Sequence, residues 1–151
     1  MPNSEIPNMI IQHTGPQPHH GSVGAAGWDL QAKEDRQLYP GAAPVLIPTG
    51  LSIALRKGYV GLVCPRSGLS MAGVLIANAP GIIDSDYRGE IKVLLYTTRE
   101  YTYYIDAGTR IAQLVILPTP WPVWQPVEEL PSTERGAGGF GSTGMGTPPE
   151  A

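Results

Sequence analysis

The densest chemistry in the chain lies between Asn78 and Glu90, N-A-P-G-I-I-D-S-D-Y-R-G-E, where Asp84 and Asp86 are followed by Tyr87 and Arg88. A carboxylate on a stiff backbone can take a proton from water, which makes Asp84 a candidate general base. Solvated turn acids read the same way in a short motif, so the stretch alone leaves both readings open. Gly81 and Gly89 bracket it, and apolar runs flank it at 74–77 and 91–96. That pattern reads as a β-hairpin with a polar end. Alternation along a strand places Asp84 and Asp86 on one face and Ser85 and Tyr87 on the other.

Three further places offer polar groups against an apolar background. Arg66, Ser67 and Gly68 stand just before a short helical turn at 69–72. Backbone N–H groups at a helix start, joined by a guanidinium and a hydroxyl, can bind an anion; Ser67 can equally be a simple N-cap. Asp29 is set between Trp28 and Leu30 in G-A-A-G-W-D-L-Q-A, where structural and functional roles are both open. Gln113 interrupts the apolar run R-I-A-Q-L-V-I-L, and a buried amide must either tie down backbone or reach a ligand. Near the end, R-G-A-G-G-F-G-S-T-G matches G-x-G-x-x-G at 136–141. It neither follows a strand nor opens a helix, which excludes a dinucleotide fold. A glycine tail with an arginine, an aromatic and a Ser-Thr pair suits closure over phosphate, and a disordered tail is the alternative. His13, His19 and His20 lack the company a zinc site needs. Cys64, in an apolar run, is expected in the core.

The elements that must position these groups are short strands. A strand is expected over 9–12, then around Asp29, over 45–47, 51–55 and 59–64, and over 91–96, 101–105 and 110–117. Leu51, Ile53 and Leu55 alternate with smaller or polar residues, the pattern of a half-buried strand. Residues 118–131 carry five prolines and read as an extended connector, with Trp121 and Trp124 expected to dock it to a surface. At 151 residues, 42% hydrophobic and 15% charged, the chain is expected to form one ordered domain. Most of its 19 glycines and 16 prolines sit between apolar runs and act as turn punctuation. A net charge of −3 argues against a nucleic-acid partner. A single cysteine excludes an internal disulfide, no apolar run approaches the ~18 residues of a membrane span, and no leader is visible, so a reducing cytoplasm is the expected compartment.

Together, A-G-W-D-L (26–30), P-R-S-G-L-S (65–70), G-I-I-D-S-D-Y-R-G (81–89), R-I-A-Q-L (110–114) and R-G-A-G-G-F-G-S-T-G (135–144) resemble, in order, the five motifs of the homotrimeric dUTP diphosphatases, the dUTPases. Trp28 departs from the family, which usually carries tyrosine or another residue there. The resemblance implies an all-β fold, a distorted jelly-roll or β-clip barrel with one short helix and an extended C-terminal arm. It implies a division into an N-terminal strand and loop (1–23), a barrel core (24–117), a Pro-rich connector (118–134) and a Gly-rich arm and tail (135–151). It also implies a homotrimer whose active sites draw on all three chains.

The roles it implies are specific. Asp84 would activate the water that attacks the α-phosphorus of dUTP. Tyr87 would lie under the deoxyribose. The segment from Asn78 through Gly81 and Ile83 to Asp84 would bind uracil. Arg66, Ser67, Gly68 and Gln113 would hold the phosphates, and Asp29 would help place Mg²⁺ through water. Arg135 would meet the γ-phosphate, Phe140 would stack on uracil, and Gly139, Ser142 and Thr143 would close on the phosphate chain. A dCTP deaminase is similar in fold, but deamination needs a glutamate acting on the base, and none precedes Asp84 in this stretch. A non-catalytic module on the same scaffold is countered by the intact base, phosphate and lid motifs. An added regulatory protein partner has two candidate surfaces, the Trp121–Trp124 connector and the His19–His20 loop.

Overall fold

Alternating apolar residues and frequent turn residues should give many short antiparallel strands. In the computed structural model, which describes residues 9–142, they do. The elements are β1 (Gln12–Thr14), β2 (His19–His20), β3 (Trp28–Gln31), β4 (Arg36–Leu38), β5 (Val45–Pro48), β6 (Ser52–Ala54), β7 (Tyr59–Cys64), α1 (Ser67–Met71), β8 (Val74–Ile76), β9 (Gly81–Ile83), β10 (Lys92–Thr97), β11 (Tyr103–Ile105) and β12 (Arg110–Pro118). The largest sheet has the order β2-β3-β12-β7-β9; a second is β5-β10-β8, and β1-β6 and β11-β4 are separate pairs. The result is an all-β, jelly-roll-like fold whose hydrogen-bonded sheets do not close into a ring.

The sheets enclose one apolar cluster. Leu51, Ile53 and Leu55 are buried in it as their alternation requires, with Val93 and Leu95 from β10 and Ile111 and Leu114 from β12. Truncating a side chain as enclosed as Leu95 to alanine costs about 2–5 kcal/mol. Thr49 is buried among them and fully used: its Oγ1 donates to Ile91 O (2.6 Å) and accepts from Leu51 N (3.2 Å). That pair of bonds ties the end of β5 to the segment entering β10, and so fixes one rim of the cleft described below.

Several expectations need correction. The apolar runs flanking the central stretch do pair, since Leu95 faces Ile76 across β10 and β8. The residues between them are no simple hairpin end, however: β9 leaves to join β7, with Gly61 facing Ile83 and Val63 facing Gly81. Asp84 follows the last residue of β9, and Asp84–Tyr87 is a turn closed by Tyr87 N donating to Asp84 O (3.2 Å). Strand alternation therefore does not govern Asp84 and Asp86. The first strand lies at Gln12–Thr14 rather than 9–12, because its partner β6 sets the register, Gln12 facing Ala54. Ser67 is the first helical residue rather than the cap; Arg66 occupies the cap position, with no side-chain capping bond. Cys64 is half-buried at the end of β7, not enclosed. Trp121 is exposed, with Lys57 Nζ 5.7 Å from its ring, rather than docked in an apolar seat.

The chain divides into two compact units, Met1–Trp121 and Pro122–Ala151. Among its described residues the second has no helix or strand. It has tight turns, closed by Gly136 N to Thr133 O (3.1 Å), Gly138 N to Arg135 O (3.0 Å) and Ser142 N to Gly139 O (3.0 Å). Among the described residues no helix is long and apolar enough to cross a membrane.

Candidate active site

The structure gathers the candidate residues into three groups. The first is a cleft of about 380 Å³ whose wall includes Asn78, Gly81, Ile83, Asp84 and Tyr87, with Glu90 on the rim. Strand β9 builds its floor: Gly81 and Ile83 are buried while Ile82 points outward. Asp84 is exposed at the end of that strand. Its turn is stapled by Arg88, whose Nη1 donates to Ser85 O (2.8 Å) and Tyr87 O (2.9 Å). Tyr87 folds back over the turn, its hydroxyl donating to Glu90 O (3.0 Å). Glu90 is itself engaged, its Oε1 accepting from Gly50 N (2.7 Å). The cleft thus has a fixed aromatic wall in Tyr87, an amide in Asn78 and an exposed carboxylate in Asp84.

The second group sits where β3, β12 and β7 run side by side, with Gln113 facing Asp29 on one neighbour and Cys64 on the other. Asp29 is the hub. Its Oδ1 meets Arg66 Nε at 2.9 Å and its Oδ2 meets Arg110 Nη1 at 3.3 Å. The Asp29 side chain is 12% exposed, against 28% for Arg66 and 53% for Arg110. Arg66 also donates to Arg110 O (3.2 Å), and Gln113 Nε2 donates to Pro65 O (2.8 Å). In this structure Asp29 pairs two cations, and Gln113 ties down backbone. Gly27 makes this arrangement fit, because a Cβ there would collide with the Gln113 amide oxygen. Ser67 and Gly68 follow Arg66 directly and are exposed at the start of α1.

The third group belongs to the second unit. Arg135 Nε donates to Gly138 O (2.8 Å), and Phe140 has φ 50° and a fully exposed ring. Gly139 and Ser142 lie in the same run of turns, and Thr143 falls outside the described residues.

The first two groups do not meet within one chain. Asp84 follows Ile83, the partner of Gly61 on β7, whereas Asp29 lies level with Cys64 across Gln113. Three interstrand steps of about 4.8 Å and roughly four residues of about 3.3 Å separate the backbones of Asp29 and Asp84 along the sheet, about 20 Å in all. The α- and β-phosphorus atoms of a nucleotide are only two bonds apart through their bridging oxygen, far less than this separation.

Sequence reading gave no contact to Arg88 or to the Asp29 partner Arg110, and it did not single out Arg99. Arg110 lies inside a quoted motif, so its place beside Gln113 was a usable signal. Arg99 had none, because its contacts are 27 and 28 residues away.

Comparison with known proteins matches the dUTPase family model to residues 13–144. Over 147 residues the chain is 50% identical to the deoxyuridine 5'-triphosphate nucleotidohydrolase of Cutibacterium acnes, covering 95% of this chain and 94% of that one. It is 52% identical over 136 residues to the protein of the same name from Caulobacter vibrioides, covering 86% of each. Among solved structures, the dUTPase of Staphylococcus bacteriophage 80alpha with dUpNHpp superposes with a TM-score of 0.84 at 30% identity, covering 91% of this chain and 99% of that one. A variant dUTPase of the S. aureus phage phi11, described with a structural Mg(II) ion, gives 0.74 at 27% identity, covering 80% and 98%.

Proposed function

We propose, because the chain belongs to the dUTPase family, that it hydrolyses dUTP to dUMP and pyrophosphate as a homotrimer whose active sites are each assembled from more than one chain. The observation that carries the reading is the cleft. It joins an exposed carboxylate on a stapled turn, an aromatic wall and an amide, in about 380 Å³. The separation of about 20 Å between the backbones of Asp84 and Asp29 supports assembly from two chains. In this reading residues 24–117 form the catalytic core, 118–134 the connector and 135–151 the arm, with 1–23 as an N-terminal strand and loop.

Uracil would enter the cleft against the backbone of 78–84, with Asn78 reading its amide edge and Tyr87 beneath the sugar. Reading by hydrogen bonds rejects cytosine, whose exocyclic amine would leave buried backbone groups unpaired. Asp84 then accepts a proton from water as the water oxygen bonds to the α-phosphorus; the bond from that phosphorus to the bridging oxygen breaks, and pyrophosphate leaves. Arg66, Ser67 and Gly68 of a neighbouring chain would hold the departing phosphates. The arm would bring Arg135 to the γ-phosphate and Phe140 over the base, with Gly139, Ser142 and Thr143 closing on the chain of phosphates.

The donor set suits Mg²⁺ held mainly by substrate. Among the described residues no three His, Cys, Asp or Glu side chains form a metal cluster. Mg²⁺ keeps several waters and binds through one or two carboxylates plus phosphates, so it needs no such cage. Asp29, with both oxygens on arginines, fits a role through metal-bound water rather than direct ligation. When bound, Mg²⁺ neutralises charge on the triphosphate and the leaving pyrophosphate. Pyrophosphate release from dUTP, dCTP, dTTP and UTP, with and without Mg²⁺, tests the reading. Fast, Mg²⁺-dependent turnover of dUTP alone is expected; comparable turnover of dCTP, or ammonia release from it, refutes it.

A further inference from the structure

We propose that Arg99, on the turn after β10, is a positioning residue for the triphosphate, clamping the far end of α1 so that Ser67 and Gly68 face the phosphates correctly. The inference rests on the phosphate role given to α1 above.

Helix α1 has only half-buried Leu69, packed against the core, as a side-chain anchor of its own. It is five residues long, with no side-chain capping bond, no acidic residue in its first turn, no basic residue in its last and no fully buried residue. Helices shorter than about 12–15 residues do not persist in water unaided. Its placement must therefore be imposed from outside. At its start the restraint is the contact of Arg66 with Asp29 and Arg110 O. At its end the restraint is the turn 97–99. Arg99 Nε donates to Ala72 O (2.8 Å) and Arg99 Nη2 donates to Met71 O (2.9 Å). The adjacent Gly73 O accepts from Thr98 N (2.8 Å) and Thr98 Oγ1 (3.2 Å).

Two bonds from one planar fork fix direction as well as distance, which a single ammonium cannot do. The fork is itself anchored, since Arg99 N donates to the buried Thr97 Oγ1 (3.1 Å). Gly73 leaves the room it needs: its φ is +82°, and a Cβ there would stand 2.6 Å from Arg99 Nε. Ser67 lies four to five residues, roughly 6–8 Å along the axis, from the clamped carbonyls. A tilt at the clamped end therefore moves the phosphate-facing end by a similar amount. Productive sites tolerate about 0.5 Å.

The test uses the full-length protein. Binding of α,β-imido-dUTP with Mg²⁺, and separately of deoxyuridine, is measured by calorimetry for the parent, Arg99→Ala and Arg99→Lys, alongside thermal unfolding. Arg99 is exposed, so the variants are expected to fold. Arg99→Ala should bind the triphosphate analogue on the order of 10- to 100-fold more weakly, with deoxyuridine affinity unchanged. Arg99→Lys, with charge but no fork, should recover only part of the loss. Equal weakening of both ligands, or weakening of neither, overturns the proposal, as does full rescue by lysine. A parent that binds deoxyuridine but not the triphosphate analogue refutes instead the phosphate role of α1, and the proposal falls with it.

Discussion

Replacing Asp29 with asparagine tests the most connected side chain of the site. The substitution keeps the shape and removes the charge that pairs with Arg66 at 2.9 Å and Arg110 at 3.3 Å. Arg110 is 53% exposed, so solvent screening reduces its share to a few tenths of a kcal/mol. Arg66 is 28% exposed beside a carboxylate that is 12% exposed, which makes this the stronger half. A charge-assisted bond of that kind contributes about 1.5–3 kcal/mol. Asparagine retains one neutral acceptor and Arg66 retains its bond to Arg110 O. The net loss should therefore be about 1–2 kcal/mol, which in a chain of this size lowers Tm by about 2–8 °C. Turnover should fall further than stability, on the order of 10- to 100-fold in kcat/KM, because Arg66 is no longer aimed. Differential scanning fluorimetry and pyrophosphate release measure the two effects. A double-mutant cycle with Arg66→Gln should show coupling of at least about 0.5 kcal/mol. An unchanged Tm together with additive effects on kcat/KM would refute the claim that Asp29 organises the arginines.

Asp84→Asn should lower turnover by about 10²–10⁴-fold while leaving affinity for α,β-imido-dUTP largely intact. Asp86→Asn should have a much smaller effect on rate, and interchangeable effects of the two would show that the wrong base was chosen. Truncation after Pro131 should leave the core folded, as read by circular dichroism, yet abolish most dUTP turnover. Full-length rates from the truncated chain would show that the arm has no part in the reaction. Phe140→Trp should report α,β-imido-dUTP by a fluorescence change beyond that of the parent tryptophans, and an identical response in both proteins would remove Phe140 from the base.

Much of the scaffold is legible in the residues themselves. The alternation of Leu51, Ile53 and Leu55 foretells a half-buried strand, and the runs at 59–64 and 110–117 lie within a residue of β7 and β12. Local pattern fails where pairing is long-range. Nothing near Gly81 says that β9 joins β7 instead of folding back on β8, and that choice takes Asp84 and Asp86 out of strand alternation. The site shows the same division. Motif order points to Asp84, Arg66 and Gln113, but Asp29's two arginine partners are 37 and 81 residues away from it and become neighbours only through the β3–β12–β7 sheet. The separation of Asp84 from Asp29, which supports the proposed assembly from several chains, is likewise a property of sheet order.

Subunit complementation tests that assembly most directly. Asp84→Asn and Arg66→Gln variants, each expected to be nearly inactive, are co-refolded at equal concentrations and assayed for pyrophosphate release from dUTP. If each site takes Asp84 from one chain and Arg66 from another, random assortment leaves both groups intact in one half times one half of the sites, so the mixture should regain about a quarter of parent activity. A mixture no more active than its two components would show that both groups act from the same chain, contradicting the shared site.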